Sequence, residues 1–230
     1  MTPRHFDTPR FLSVLPLFGD RPPAELQQLA DACQLRRYGR GETVFRAGDR
    51  CDALHVVATG QVKLHAISAT GQEKVIELMG VGRNFGEALL FSQRAATFNA
   101  TALAESLVLG LPRQAVEAGI ARDPRFALRL LTGMSERMQS LMSDVESYAL
   151  HSGTQRVVNF LLRQQAPDRG QPVRTVSLPV SKATIASRLS ITPEYFSRVL
   201  GELEASRMIE VDKRDIRILD AQRLAQHTLQ

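Results

Sequence analysis

Seven glycines fall between positions 41 and 86, at Gly41, Gly48, Gly60, Gly71, Gly80, Gly82 and Gly86. They cut this stretch into short alternating segments that no long helix can bridge, because each interior glycine costs a helix roughly 1 kcal/mol relative to alanine. Thr43–Arg46, Leu54–Ala58, Gln61–Ile67, Lys74–Met79, Phe98–Leu103 and Ser106–Leu111 read as strands. Strands at this regular spacing predict a sandwich or barrel-like roll, with glycine supplying positive φ where the chain reverses. Ahead of them, residues 12–35 read as a short helical entry, in which Pro22-Pro23 precede an apolar stripe of Leu26, Leu29, Ala30 and Cys33.

The pattern changes after Asp123-Pro124, an N-cap followed by proline at the first helical position. Ala127, Leu131, Met134, Met138, Leu141, Val145 and Tyr148 then recur at alternating spacings of four and three. This is a heptad seam on a helix from about residue 124 to 150. A narrow seam of this kind predicts a parallel two-fold dimer through Leu131, Met134, Met138, Leu141, Val145 and Tyr148. Phe126, Leu130 and Met142 are expected to pack on the chain's own β region, and Arg129, Glu136 and Arg137 to occupy other faces.

The last third carries the most informative motif. Thr154–Gln165 reads as an amphipathic helix ended by Pro167-Asp168-Arg169-Gly170, with a short strand at Thr175–Leu178. Ser181–Leu189 reads as one short helix and Ser190-Ile191-Thr192 as a tight turn. Thr192 and Pro193 then cap a second helix running to Leu203. Met208–Val211 and Ile216–Leu219, joined by Asp212-Lys213-Arg214-Asp215, read as a two-stranded wing. Together they describe a winged helix-turn-helix, a device for placing one helix in the major groove of double-stranded DNA. Thr192, Glu194, Tyr195, Ser197 and Arg198 stand where base edges would lie. Arg198 is suited to guanine O6 and N7, and Glu194 to cytosine N4. Lys182, Arg188, Arg207, Lys213 and Arg214 are candidate phosphate contacts, which set affinity and register.

The charge distribution agrees. Residues 151–230 carry 12 Lys or Arg against 8 Asp or Glu, so +4 of the net +5 lies in the segment expected to meet phosphate. Other classes find little support. The absence of an 18-residue apolar stretch argues against a membrane span, and Phe11–Phe18 is too short and proline-interrupted for a signal peptide, so a cytoplasmic protein is expected. Two cysteines, Cys33 and Cys51, cannot make a four-thiolate metal or iron–sulfur site in one chain, and no metal site is expected. No Walker loop, zinc spacing or Ser/His/Asp set stands out, and Gly80-Val81-Gly82 is too short for a dinucleotide fingerprint, so the chain is not read as an enzyme.

Three segments resemble a cyclic-nucleotide-binding β-roll: Gly41–Asp49 its opening, Val56–Leu64 its next hairpin, and Phe85-Gly86-Glu87-Ala88 its phosphate-binding cassette. With the winged segment, the order resembles the CRP/FNR superfamily of transcription regulators from about residue 12 onward. The resemblance implies an α+β chain in three parts: an entry and sensor β-roll over residues 1–122, a dimerisation helix over 123–150 and a DNA-binding domain over 151–230. It implies an effector pocket around Gly86, Glu87, Arg94, Thr97 and Phe98, and RNA polymerase as a further partner of the homodimer.

In cyclic-AMP binders of this kind, Arg-Ser follows Gly-Glu at the distance where this chain has Thr97-Phe98, and Arg94 lies three residues earlier. Losing a charge-assisted phosphate contact argues against cyclic AMP. Glu87 is then expected to persist as a structural residue bonded to backbone donors. Glu194-Tyr195-Phe196-Ser197-Arg198 resembles the Glu-x-x-Ser-Arg pattern of the FNR-like branch, which implies palindromes with TTGAT-type half-sites. With no N-terminal cysteine cluster, the chain resembles the cluster-free denitrification regulators. That resemblance implies control of anaerobic or nitrogen-oxide metabolism through nitric oxide or redox state, with haem as cofactor and His55, His65 or His151 as the candidate ligands. Two rivals are a cyclic-nucleotide-responsive regulator and a small-molecule-binding module without DNA output.

Overall fold

The computed structural model describes residues 6–164 and 174–226. The chain divides into two compact units, Met1–Gln139 and Ser140–Gln230.

In the first unit, helices α1 (Thr8–Ser13) and α2 (Pro23–Ala32) lead into strand β1 (Gln34–Tyr38). The helical entry expected over residues 12–35 therefore holds the end of α1, a single 3-10 turn at Pro16–Phe18 and α2, and its last residues belong to a strand. β1 escaped the sequence reading because Gln34-Leu35-Arg36-Arg37-Tyr38 is mostly polar. It is an edge strand in which only Tyr38 is buried, and charge on an edge guards against unwanted pairing.

Seven strands follow: β2 (Thr43–Phe45), β3 (Ala53–Thr59), β4 (Val62–Ile67), β5 (Glu73–Met79), β6 (Asn84–Phe85), β7 (Asn99–Ala102) and β8 (Ser106–Pro112). Helix α3 (Glu87–Ser92) sits between β6 and β7, and α4 (Arg113–Arg122) follows β8. Two four-stranded antiparallel sheets result, ordered β1-β8-β3-β6 and β2-β7-β4-β5. Period-two alternation gives the first sheet two buried faces. Leu54, Val56, Leu109 and Leu111 pack with Leu12, Phe18, Leu29 and Phe126, whereas Val57 and Val108 face Phe45, Val62, Met79 and Phe85 inside the roll.

Gly60 shows why glycine is required at one of these turns. Its φ is +79°, and a Cβ there would lie 2.2 Å from Ser106 Oγ and 2.5 Å from the Glu105 carbonyl. Gly80, expected to share this role, is not among the positive-φ glycines.

Helix α5 (Arg125–Leu150) begins one residue after Pro124, and at 26 residues spans about 40 Å. Phe126 and Leu130 are buried in the first unit's core as expected. Met142 is not; it is 65 % exposed. Leu131, Met138, Leu141 and Val145 on the seam are exposed too, and Met134 and Tyr148 are half-buried.

The second unit holds α6 (Gly153–Arg163), β9 (Arg174–Ser177), α7 (Lys182–Arg188), α8 (Pro193–Ala205), β10 (Ile209–Asp212), β11 (Asp215–Ile218) and α9 (Ala221–Gln226). Ser152 and Gln155 form a capping box on α6. The turn Pro167–Gly170 expected to end that helix lies outside the described residues. The wing has three strands, not two: β9 joins the hairpin in the order β10-β11-β9, with Val176 opposite Ile216. Val157, Leu161, Ile185, Phe196, Val199, Leu203 and Ile216 form the buried interior of this unit.

Candidate nucleic-acid interface and sensor pocket

The helix-turn-helix is set by two side-chain caps. Ser181 Oγ accepts from the Thr184 N–H at 3.2 Å to start α7, and Thr192 Oγ1 accepts from the Tyr195 N–H at 3.1 Å to start α8. Between them Ser190 adopts a φ of +55°, and the Ile191 N–H donates to the Ala186 carbonyl at 3.0 Å. The apolar face of α8, Phe196, Val199, Leu200 and Leu203, is buried. The opposite face leaves Thr192, Glu194, Ser197 and Arg198 exposed. Arg198 lies over the Tyr195 ring, 4.6 Å from its centre, and pairs with Glu202 one turn later at 2.5 Å. That exposed pair is cheap to break, so the guanidinium can exchange Glu202 for a base edge.

Two expected contacts are redirected by the fold. Tyr195 is half-buried, its hydroxyl lies 3.3 Å from Thr154 Oγ1, and its ring covers Gly153. It joins α8 to the start of α6, so its hydroxyl is turned away from base readout. Arg188 donates to Tyr148 Oη at 2.7 Å and to Asp144 Oδ2 at 2.5 Å, and the Tyr148 hydroxyl donates to the Arg188 carbonyl. Its side chain is 18 % exposed, so it ties α7 to the end of α5 and is not free for phosphate. Arg156 reinforces this junction by donating to the Leu189 carbonyl at 2.8 Å, a role that the sequence spacing did not signal. Arg207, Lys213 and Arg214 are exposed, and Lys182 is half-buried at the first position of α7. Arg207 and Lys213 sit in turns at positive φ.

In the first unit, Gly86 has φ +90° and caps α3. Glu87 is 2 % exposed, and its carboxylate is held by the Arg137 guanidinium from α5. Asn84 Nδ2 lies 3.4 Å away. Arg137 also donates to the Asn84 carbonyl and lies 3.2 Å from Glu77 Oε2. Glu87 is thus held chiefly by the half-buried Arg137, with its own backbone N–H as a lesser contributor of the kind expected, and Arg137 folds back into the roll instead of occupying an outer helix face. Burial raises the Glu87 pKa above the ordinary carboxylate range, against the opposing pull of Arg137. Arg94 and Thr97 are exposed, and Phe98 packs edge-on against Phe45 at 5.7 Å. Arg94 makes no ion pair among the described residues. These residues do not gather into a cationic cradle for a cyclic phosphate.

The three candidate histidines are already engaged. His65 Nε2 lies 2.9 Å from Thr101 Oγ1, and His151 Nδ1 lies 3.2 Å from Ser147 Oγ. His55 stacks on Phe85 at 5.1 Å, with Nδ1 3.8 Å from Cys51 Sγ, and burial lowers its pKa to about 4. His55 borders a cleft of about 350 Å³, at the lower end of small-ligand pockets. Among the described residues, no group of three or more His, Cys, Asp or Glu is arranged to hold a metal ion, and no helix is long and apolar enough to cross a membrane.

Residues 35–123 match the cyclic nucleotide-binding domain family, and residues 155–227 match the Crp-like helix-turn-helix domain. The chain belongs to the CRP/FNR superfamily. As a CRP/FNR-type protein it is a DNA-binding transcription regulator, not an enzyme. It is 28 % identical over 198 residues to the Global nitrogen regulator of Synechococcus elongatus, covering 84 % of this chain and 89 % of that one. It is 25 % identical over 206 residues to a CRP-like cAMP-activated global transcriptional regulator of Mycobacterium tuberculosis, covering 88 % and 92 %. Among solved CRP/FNR structures, FixK2 from Bradyrhizobium japonicum superposes with a TM-score of 0.74 at 21 % identity, covering 84 % of this chain and 96 % of that one. That likeness supports the fold.

Proposed function

We propose that this CRP/FNR regulator works as a homodimer joined along Leu131, Met134, Met138, Leu141, Val145 and Tyr148 of α5, and that it reads palindromes with TTGAT-type half-sites. Glu194, Ser197 and Arg198 supply the base contacts, with Thr192 setting the start of their helix. Lys182, Arg207, Lys213 and Arg214 supply phosphate contacts. The observation that carries the reading is the exposure of Glu194, Ser197 and Arg198 on the N-terminal half of a capped helix whose other face is buried. The dimer is supported by the unpartnered apolar seam, in which Met138 is 59 % and Val145 66 % exposed. Two such helices must meet successive major grooves, about 34 Å apart.

The signal belongs to anaerobic or nitrogen-oxide metabolism, with nitric oxide or redox state as the effector condition and RNA polymerase as the downstream partner. Supporting an effector other than cyclic AMP are Thr97 and Phe98 at the positions of the phosphate-binding pair, and Glu87 already held by Arg137. A relative named Global nitrogen regulator is consistent with a role in nitrogen metabolism. The test is a gel shift on a TTGAT palindrome and a scrambled duplex across a salt series, repeated with cyclic AMP and with a nitric oxide donor. The reading expects selective, steeply salt-dependent binding that responds to nitric oxide and ignores cyclic AMP. Equal binding to both duplexes would refute the half-site, and a response to cyclic AMP alone would refute the signal.

A further inference from the structure

The cleft beside His55 has a chemistry of its own. It opens between β1, β2, β3 and β8, and its lining includes neither Glu87, Arg94, Thr97 nor Phe98. Tyr38, Phe45 and His55 give it aromatic walls, with the Phe45 and His55 rings 5.8 Å apart. Arg36 and Arg50 stand at its rim and are both exposed.

The charges around it are unbalanced. Asp52, the acidic residue in the lining, is already paired with Arg113 at 3.3 Å. Arg50 makes no ion pair among the described residues. Among the described residues, the Arg36 guanidinium donates to the neutral Gln34 side chain, at 3.2 Å, and makes no ion pair. After burial, the Arg36 charge is the second cause of the low pKa of His55. His55 is therefore neutral near pH 7, and its face is apolar wall. Two arginines without an ion pair among the described residues, sharing one lining with Tyr38, Phe45 and His55, match a flat apolar body with one planar anionic group. A guanidinium fork meets a carboxylate through paired hydrogen bonds, and aromatic rings pack through offset or edge contacts.

We propose that this cleft is a binding site for a small aromatic carboxylate, its ring against Tyr38, Phe45 and His55 and its carboxylate on Arg36 and Arg50. The site is independent of the DNA-sequence reading, because every residue in it lies in the first unit.

The experiment is calorimetric titration of the full-length protein with 2-naphthoate, with its neutral counterpart 2-naphthalenemethanol, and with inorganic phosphate. 2-Naphthoate should bind saturably, once per chain. The alcohol should bind about tenfold more weakly or worse, since a charge-assisted contact contributes that much or more, and phosphate should not compete. Arg36→Gln and Arg50→Gln should each weaken 2-naphthoate by a similar factor. Arg40→Gln, an exposed charge outside the cleft, should leave it unchanged. Neither rim substitution alters a buried side chain, so loss of fold does not confuse the result. An absence of saturable binding, equal affinity for the alcohol, or binding that survives both rim substitutions would overturn the site.

Discussion

Arg137→Met tests whether the sensor unit depends on a buried ion pair. The Arg137 side chain is 17 % exposed and that of Glu87 3 %, with Glu77 at 18 %, so water can do little to replace the lost guanidinium. Methionine keeps most of the apolar stem but removes the charge, leaving a buried carboxylate facing Glu77. Removing one partner of a buried pair costs about 3–5 kcal/mol. In a unit of this size, that lowers the melting temperature by roughly 10 °C or more.

The loss should depend on pH with a defined sign. Burial already holds the Glu87 pKa above its unfolded value, and Arg137 is the main opposing influence. Without Arg137 the folded pKa rises further. The folded state then binds the proton more tightly than the unfolded state, so stability grows as pH falls through the folded pKa and is lost as pH rises. Thermal melts of wild type and variant between about pH 8 and about pH 5 should therefore converge toward acid, as linkage requires. Glu87→Gln in the variant should recover part of the loss near neutrality, because an amide carries no buried charge. A loss under about 1 kcal/mol, with a wild-type-to-variant difference that stays flat with pH, would refute the reasoning.

Three further outcomes follow from local geometry. Gly60→Ala combines a φ of +79° with a Cβ 2.5 Å from backbone, and should cost about 2 kcal/mol or more in chemical denaturation of the first unit. Ser152→Ala removes half of the α6 capping box and should cost about 1 kcal/mol, read in the unfolding of the second unit. Met138→Glu puts a charge on the exposed seam. Sedimentation should show a monomer that has lost tight binding to a palindrome while each unit melts normally; an unchanged dimer would remove α5 as the interface.

What could be read in the sequence was local and periodic. Thr192 and Pro193 announced α8 because capping and a proline start act within one turn, and the glycine-separated strands followed from alternation. The misses are tertiary. Nothing within a helical turn of Arg137 points to Glu87, 50 positions earlier. The Tyr195 hydroxyl finds Thr154 across 41 positions, and Arg188 finds Asp144 across 44. Each of these polar residues looked solvent-facing by spacing alone, yet each is engaged by a distant part of its own unit. Met142 was misassigned for the opposite reason. An apolar residue beside a seam has no sequence marker for which of two faces it joins, and the structure leaves it exposed. The cleft at Arg36 and Arg50 was invisible because its walls come from four strands, one of them the polar edge strand β1.

The central claim is that α8 reads bases, with Arg198 as a guanine contact. Fluorescence anisotropy should compare wild type and Arg198→Ala on a TTGAT palindrome and on the same duplex with the guanine pair replaced, at one fixed salt concentration. The account predicts that the substitution costs roughly 1–3 kcal/mol on the TTGAT site, and little on the replaced site. Equal weakening on both duplexes would make Arg198 a phosphate contact and contradict the account.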